Sequence, residues 1–544
     1  MIAVGKWLGF GLSTLHRPVG PRRTAVGSAF ALALSGVSGS AFADSIPVVS
    51  AGPAGLSDLS DQPAAAPGAA SPPAPSGLPS PFPFALPHLA APQFRADASQ
   101  PPGADKTPGP LGLDLKGQNL LGDMGGLRPA LDKYGLQLTI LENVETFGNL
   151  SGGVRQGFEA DGLTTVTLQM DTAKAFGLKG GTLNVSGLQY WGGNLSTDNL
   201  LVLQTLSDVE APVGVRLWEL WYQQNFTDKF DIKIGEQSLD EEFIISPSAN
   251  SLFINGVSGF PALPAANLPA GGPAYPLAGL GLRGRAQLPD SVTVLGGVFN
   301  GSPIPRDSPN TPTSNPNGVS FPLDVGTFAI AELQYGYGSS AQGKPSSDGP
   351  LPGVYKIGAW YDSTGFDDLQ TDTIGLPLAS PLSNGSPAKQ HGEFSLYGVA
   401  DQMIWRSKDD SSRTLNVFFR PMFTPDHDRN LVSASINAGL ALKAPFSGRD
   451  TDTFGVEMGT AWASSGASNF DRQMQVFQPL VYTPIRGAET FLEATYQIQV
   501  LPSWQIQPDI QYFINPGLGI ANPDEPAQRI KNEFVVGLRT NVNF

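Results

Sequence analysis

Apolar and polar positions alternate along most of this chain, and the alternation is cleanest near its end. In 532–544, Phe534, Val536, Leu538, Thr540, Val542 and Phe544 share one parity. Glu533, Gly537, Arg539, Asn541 and Asn543 share the other, with Val535 as the apolar intruder. Successive side chains of a strand point to opposite faces, so this stretch has one oily face and one polar face. The segment 503–514 repeats the pattern, with Trp504, Ile506, Pro508, Ile510, Tyr512 and Ile514 against Gln505, Gln507, Asp509 and Gln511. In 487–501, Leu492, Tyr496, Ile498 and Val500 oppose Glu493, Thr495, Gln497 and Gln499.

The period of two starts at Gly135 and predicts sixteen strands. They are 135–147, 162–172, 181–191, 214–225, 229–236, 279–288, 291–299, 326–337, 352–362, 393–406, 413–423, 430–443, 451–463, 487–501, 503–514 and 532–544. Connections test what kind of sheet this is. Residues 192–213, 237–278, 300–325, 363–392, 464–486 and 515–531 are long and rich in Gly, Pro, Ser and Asn. The connections between them are short, down to Pro289-Asp290 and Pro502, although 338–351 and 424–429 break the rule. Long external loops alternating with short periplasmic turns belong to an outer-membrane barrel, and a soluble sandwich has no reason to produce them. Aromatics agree: Trp191 and Trp462 fall at one rim, and Trp405, Trp504 and Phe544 at the other. The expected fold is all-β, a 16-stranded antiparallel transmembrane β-barrel spanning 135–544.

Upstream of the barrel the pattern changes twice. Leu120, Leu121, Met124, Leu127 and Leu131 recur at helical spacing and predict a short amphipathic helix within 110–134, stopped by Gly135. Residues 44–109 are a Pro/Ala/Ser/Gly tract without period, read as a disordered periplasmic segment. Residues 1–43 read as a signal peptide: Lys6, Arg17, Arg22 and Arg23 precede the apolar run Ala25–Val37, and Ala41-Phe42-Ala43 supplies a cleavage site. Removing those four cations takes the net charge from −15 to −19, which argues against a nucleic-acid partner. Charged residues make up 15% of the chain, Cys is absent, and neither a cofactor nor a metal site is expected.

The chain resembles the carbohydrate-selective outer-membrane porins of the OprB type. The resemblance rests on Arg216-Leu217-Trp218-Glu219-Leu220-Trp221-Tyr222, Asn267-Leu268-Pro269-Ala270-Gly271-Gly272-Pro273-Ala274-Tyr275-Pro276 and Val399-Ala400-Asp401-Gln402-Met403. Asp428-Arg429-Asn430-Leu431-Val432, Gln507-Pro508-Asp509-Ile510-Gln511-Tyr512 with Ile514-Asn515-Pro516, and Gly537-Leu538-Arg539-Thr540 before Phe544 extend it over roughly 117–544. It implies an outer-membrane channel of a Gram-negative bacterium that passes mono- and small oligosaccharides passively. Barrel-assembly machinery is expected to read the terminal Phe544, and monomer and homotrimer both remain open.

By analogy with sixteen-stranded porins, 237–278 is the loop expected to fold inward, bringing Asp240, Glu241 and Glu242 to a constriction. Parity places Glu219, Trp221, Asp231, Lys233, Arg283, Arg285, Glu332, Trp360, Arg420, Glu457, Glu493 and Arg539 on the lumen side, with Gln287, Gln334 and Lys356. Lys or Arg at the lipid midplane costs about 2–4 kcal/mol, which nearly forces this placement. Opposed acids and bases suit sugar hydroxyls, and Trp221 and Trp360 offer flat faces to pyranose rings. For each residue a structural lumen ion pair is an equal alternative. As functions, a general or ion-selective channel is the main competitor, with an outer-membrane enzyme or adhesin more remote. No catalytic residues are assigned: no G-x-S-x-G occurs, and beyond the leader the histidines are His88, His391 and His427. Gly279-Leu280-Gly281-Leu282-Arg283-Gly284 matches a dinucleotide fingerprint but leads into another strand, so it carries no such function.

Overall fold

A computed structural model describes residues 113–338 and 350–544. The expected leader 1–43 and the tract 44–109 lie outside the described residues, as does most of the connection 338–351. Sixteen strands run in chain order: β1 Leu136–Gly153, β2 Gly157–Asp171, β3 Gly181–Gly192, β4 Gly214–Thr227, β5 Phe230–Gln237, β6 Gly279–Gln287, β7 Val292–Asn300 and β8 Thr327–Tyr337. There follow β9 Gly353–Asp372, β10 Pro387–Arg406, β11 Thr414–Phe423, β12 Val432–Lys443, β13 Thr453–Ala463, β14 Ala488–Leu501, β15 Trp504–Ile514 and β16 Lys531–Asn543. Each pairs antiparallel with the next, and β1 closes on β16 through pairs such as Val144 with Thr540 and Glu145 with Arg539. Closure leaves no unpaired edge, which is what a sheet needs in hydrocarbon.

The outward rows are apolar and uncovered. Ile357 is 64% exposed, Ile234 54% and Leu538 49%, a density of exposed hydrophobes that suits lipid or a neighbouring barrel rather than water. One outward carboxylate departs from this row: Glu142 accepts from Thr164 Oγ1 at 2.5 Å and Trp191 Nε1 at 3.4 Å. Among the described residues no helix is long and apolar enough to cross a membrane.

Several elements differ from the sequence expectation for local reasons. β9 and β10 are each 20 residues, so the hairpin extends well past the expected 352–362 and its loop shrinks. β1 and β2 lengthen in the same way. The upstream helix is only Leu127–Asp132, because Gly122, Met124, Gly125 and Gly126 take positive φ and break the leucine periodicity. Within the connection 464–486 the chain forms a helix, Ser465–Phe477, capped by Ser464, whose side chain accepts from Ala467 N–H. In β4 the register slips between the pairs Ser186–Glu219 and Gly187–Leu217, so Trp218 is the extra residue of a bulge. Val215 and Leu220 stay exposed, while Arg216, Trp218 and Glu219 are all buried.

Candidate functional site

Residues 238–278 leave β5, run along the inner wall and return to β6, and the wall's charged residues hold them there. Glu332 of β8 accepts the Ile244 N–H at 2.8 Å. Asp401 of β10 accepts from Ser246 Oγ, Ser248 N and Ser248 Oγ at 2.7–2.8 Å. Glu493 of β14 accepts the N–H groups of Ile254 and Asn255 at 2.8 and 2.9 Å, and Glu457 of β13 accepts from Ser258 Oγ. Arg420 of β11 donates to the carbonyls of Ile244, Val257, Ser258 and Gly259. An irregular segment inside a barrel carries backbone groups with no ladder partner, and these side chains supply the partners. The charge-assisted bonds are also the stronger kind. Apolar residues fill the space between: Phe243, Ile244, Ile254, Val257 and Phe260 pack with wall residues Phe299, Phe328 and Phe491.

The connection between β3 and β4 docks beside it, its Asp208 N–H donating to the Ile254 carbonyl and its Thr205 carbonyl accepting from the Gly256 N–H. Glu489 of β14 accepts from the N–H groups of Leu203 and Gln204 at 2.8 and 2.7 Å. Arg539 of β16 bridges Glu145 of β1 and Asp208 of this connection. Within it, Glu210 accepts from Ser196, and burial pushes its carboxyl up to about 7 despite those bonds.

A compact ionic cluster forms where the inward segment leaves the β4–β6 wall. Arg283 Nε lies 2.7 Å from Glu242 Oε2, and its Nη2 donates to Glu242 Oε1 at 3.0 Å. Lys233 pairs with Glu242 as well, and Arg283 also pairs with Asp231. Arg285 Nε donates to Asp231 Oδ2 at 2.7 Å, and Gln223 Oε1 accepts from Arg283 at 3.3 Å. Lys233 Nζ stands 4.8 Å from the centre of the Trp221 ring. Solvent reaches this cluster unevenly: the Arg285 side chain is 39% exposed and Glu242 16%, whereas Arg283 and Asp231 are almost closed off. Burial alone would raise the Glu242 carboxyl, but the Lys233 ammonium and the Arg283 guanidinium hold it down at about 2.

The residues expected from strand parity and from the inward loop therefore divide into two groups. Trp221, Asp231, Lys233, Glu242, Arg283 and Arg285 come together, with Glu219 beside them accepting the Ser238 N–H at 3.0 Å. Asp240 turns into its own loop, where it accepts from Ser238 Oγ and Tyr275 N, while Glu241 is partly exposed. Glu332, Arg420, Glu457, Glu493 and Arg539 face inward but are covered by the two docked segments. Trp360 is also buried, its indole N–H given to Glu393 at 2.8 Å. Gln223 and Asp401 are inward residues that the parity argument did not name; Gln223 shares the parity of Trp221 and lies within reach of the same argument. Arg216, which donates to the Pro276 and Pro316 carbonyls, was hidden by the bulge. Among the described residues no group of His, Asp and Glu is arranged to hold a metal ion.

Comparison with known proteins bears on the barrel as a whole. The family model described as carbohydrate-selective porin, OprB family, matches residues 155–544. Porin B of Pseudomonas aeruginosa is 25% identical over 446 residues, covering 78% of this chain and 91% of that protein. The high-pH structure of Pseudomonas putida OprB superposes with a TM-score of 0.68 at 22% identity, covering 79% of this chain and 99% of that one. At that identity the superposition speaks for the fold.

Proposed function

The chain belongs to the OprB family of carbohydrate-selective porins and is an outer-membrane porin of a Gram-negative bacterium; from that premise we propose that it passes mono- and small oligosaccharides passively through the passage bordered by the β4–β6 cluster. The observation that carries this reading is that Arg285 and Glu242, beside Trp221, are partly exposed, whereas Glu332, Arg420, Glu457, Glu493 and Arg539 are covered by loop residues. A sugar entering a waist loses part of its hydration and needs donors and acceptors in its place, held weakly enough to let it leave. Arg285 offers donors, Glu242 and Gln223 offer acceptors, and the Trp221 ring offers an apolar face. The ion pairs keep the donors and acceptors in place between solutes, so each passing molecule meets a preformed site. Transport of this kind follows the gradient and involves no chemical step.

The test is conductance in planar bilayers. The purified protein conducts ions, and a permeant monosaccharide at millimolar concentration reduces the current. Proteoliposomes swell faster in isotonic monosaccharide than in disaccharide. Current unaffected by every sugar tried leaves a general ion channel of the same fold, and no current at all removes the porin reading.

A further inference from the structure

Ile244 is a β-branched residue held in the left-handed region at φ 69°. Side chains of that shape avoid this conformation, and it persists only where the surroundings over-determine it. Here both peptide groups of Ile244 are gripped. Its N–H goes to Glu332 at 2.8 Å, and its carbonyl receives Arg420 Nη1 at 3.2 Å. Both gripping residues are themselves fixed. Tyr397 Oη donates to the same Glu332 oxygen at 2.8 Å, and Gln334 Nε2 donates to the other at 2.6 Å. Arg420 is fully buried and also binds Ser258 O and Asn437 Oδ1, each at 2.9 Å, which lashes the outgoing and returning halves of the loop together. Phe243, between Ile244 and Glu242, is 2% exposed within the apolar packing of the wall. The chain direction at Ile244 thus dictates where Glu242 stands relative to Lys233 and Arg283.

We propose that Glu332, Ile244 and Arg420 form a latch that aims Glu242 into the passage, making them positioning residues for the porin's selectivity. The proposal rests on the constriction reading above and adds the part of the wall that sets it. A latch acts only through the group it aims. Removing its grip changes selectivity in the way that removing the Glu242 charge does, and does nothing further once that charge is gone.

The experiment measures reversal potential across a potassium chloride gradient, and sugar block separately, for barrels whose folding is verified by heat-modifiable gel mobility. Arg420→Gln is expected to shift the chloride-to-potassium permeability ratio toward chloride in the same direction as Glu242→Gln, by at least about threefold, against the shift toward potassium that loss of the buried guanidinium charge gives by itself. Arg420→Lys falls between that variant and wild type. The double variant Arg420→Gln/Glu242→Gln lies no further toward chloride than Glu242→Gln alone. An unchanged ratio in Arg420→Gln, or a double variant whose shift is the sum of the two singles, overturns the proposal. Should Arg420→Gln fail to assemble, two loop substitutions decide instead. Ile244→Gly keeps both hydrogen bonds and accepts the left-handed angle, so it retains the wild-type ratio. Ile244→Pro lacks the N–H and is locked at negative φ, so it shifts the ratio as Glu242→Gln does. The reverse result for this pair refutes the latch. A wild-type current insensitive to sugar refutes the sugar reading alone, since the reversal potential reads the latch without any sugar.

Discussion

Replacing Glu242 by Gln removes one negative charge from a cluster whose contacting groups are Lys233, Arg283, Arg285, Asp231 and Glu242 itself. Three cations and two anions give these contacting groups a net charge of +1, and the variant raises it to +2. For an ion passing at about 6 Å, one unit charge is worth about 0.7 kcal/mol in water-like surroundings and about 1.4 kcal/mol at half that dielectric. Chloride gains this energy while potassium loses it, so the permeability ratio changes by twice as much, about a tenfold to a hundredfold rise in chloride over potassium. The substitution also leaves Lys233 without its carboxylate partner and Arg283 with Asp231 and Gln223. Lys233 then turns toward the passage, which adds to the anion preference. Reversal potentials in an asymmetric potassium chloride gradient measure the ratio directly. An unchanged reversal potential in a conducting, folded variant means that Glu242 does not face the ion path, and the placement of the constriction fails with it.

Three further outcomes follow from the same geometry. Glu242 has an ordinary carboxyl value of 4.5 and is held at about 2, so its ionic ties are fully present above pH 4.5 and are lost only as the pH falls through about 2. Ion selectivity that depends on Glu242 therefore stays flat between pH 7 and pH 4; a titration centred near 4.5 would show the carboxylate to be unpaired. Trp221→Ala removes the ring face and weakens sugar block by about fivefold, the factor for about 1 kcal/mol, with little change in reversal potential; equal loss of both means the ring matters through Lys233 alone. Leu538→Arg puts a charge on the lipid-facing row at a cost of about 2–4 kcal/mol, read as a lower urea midpoint for folding into vesicles. Single-channel conductance of whatever folds is unaltered, because that side chain never reaches the bore.

The barrel was legible because a strand's two faces are written in adjacent residues. Rows such as Trp504, Ile506, Ile510 and Tyr512 need only their own alternation to be oriented, and the structure has them on the outside. Alternation does not say what an inward side chain meets. Arg420, Glu457 and Glu493 have the parity of Lys233 and Arg283, yet they meet loop backbone rather than solvent. That difference depends on where residues 238–278 come to rest, a long-range packing outcome with no local period. The loop's anchor points do leave a trace in composition, as Ser246, Ser248, Asn255 and Ser258 supply the hydroxyl and amide groups that the wall carboxylates and Gln511 accept. The bulge at Trp218 marks a second limit: one inserted residue reverses parity, so Arg216 and Glu219 both end up buried from positions that a strict period assigns to opposite faces. Strand ends were the least legible feature, since β9 and β10 continue their pairing well beyond the hydrocarbon with residues such as Asp367 and Lys389 that read as loop.

The most direct test of the sugar path is a structure of the protein soaked with a permeant monosaccharide at a concentration that blocks the current. The expected density is a pyranose ring stacked by Trp221, within hydrogen-bonding distance of Arg285 and Glu242. A saturated lumen with the sugar bound elsewhere, and that cluster unvisited, would contradict it.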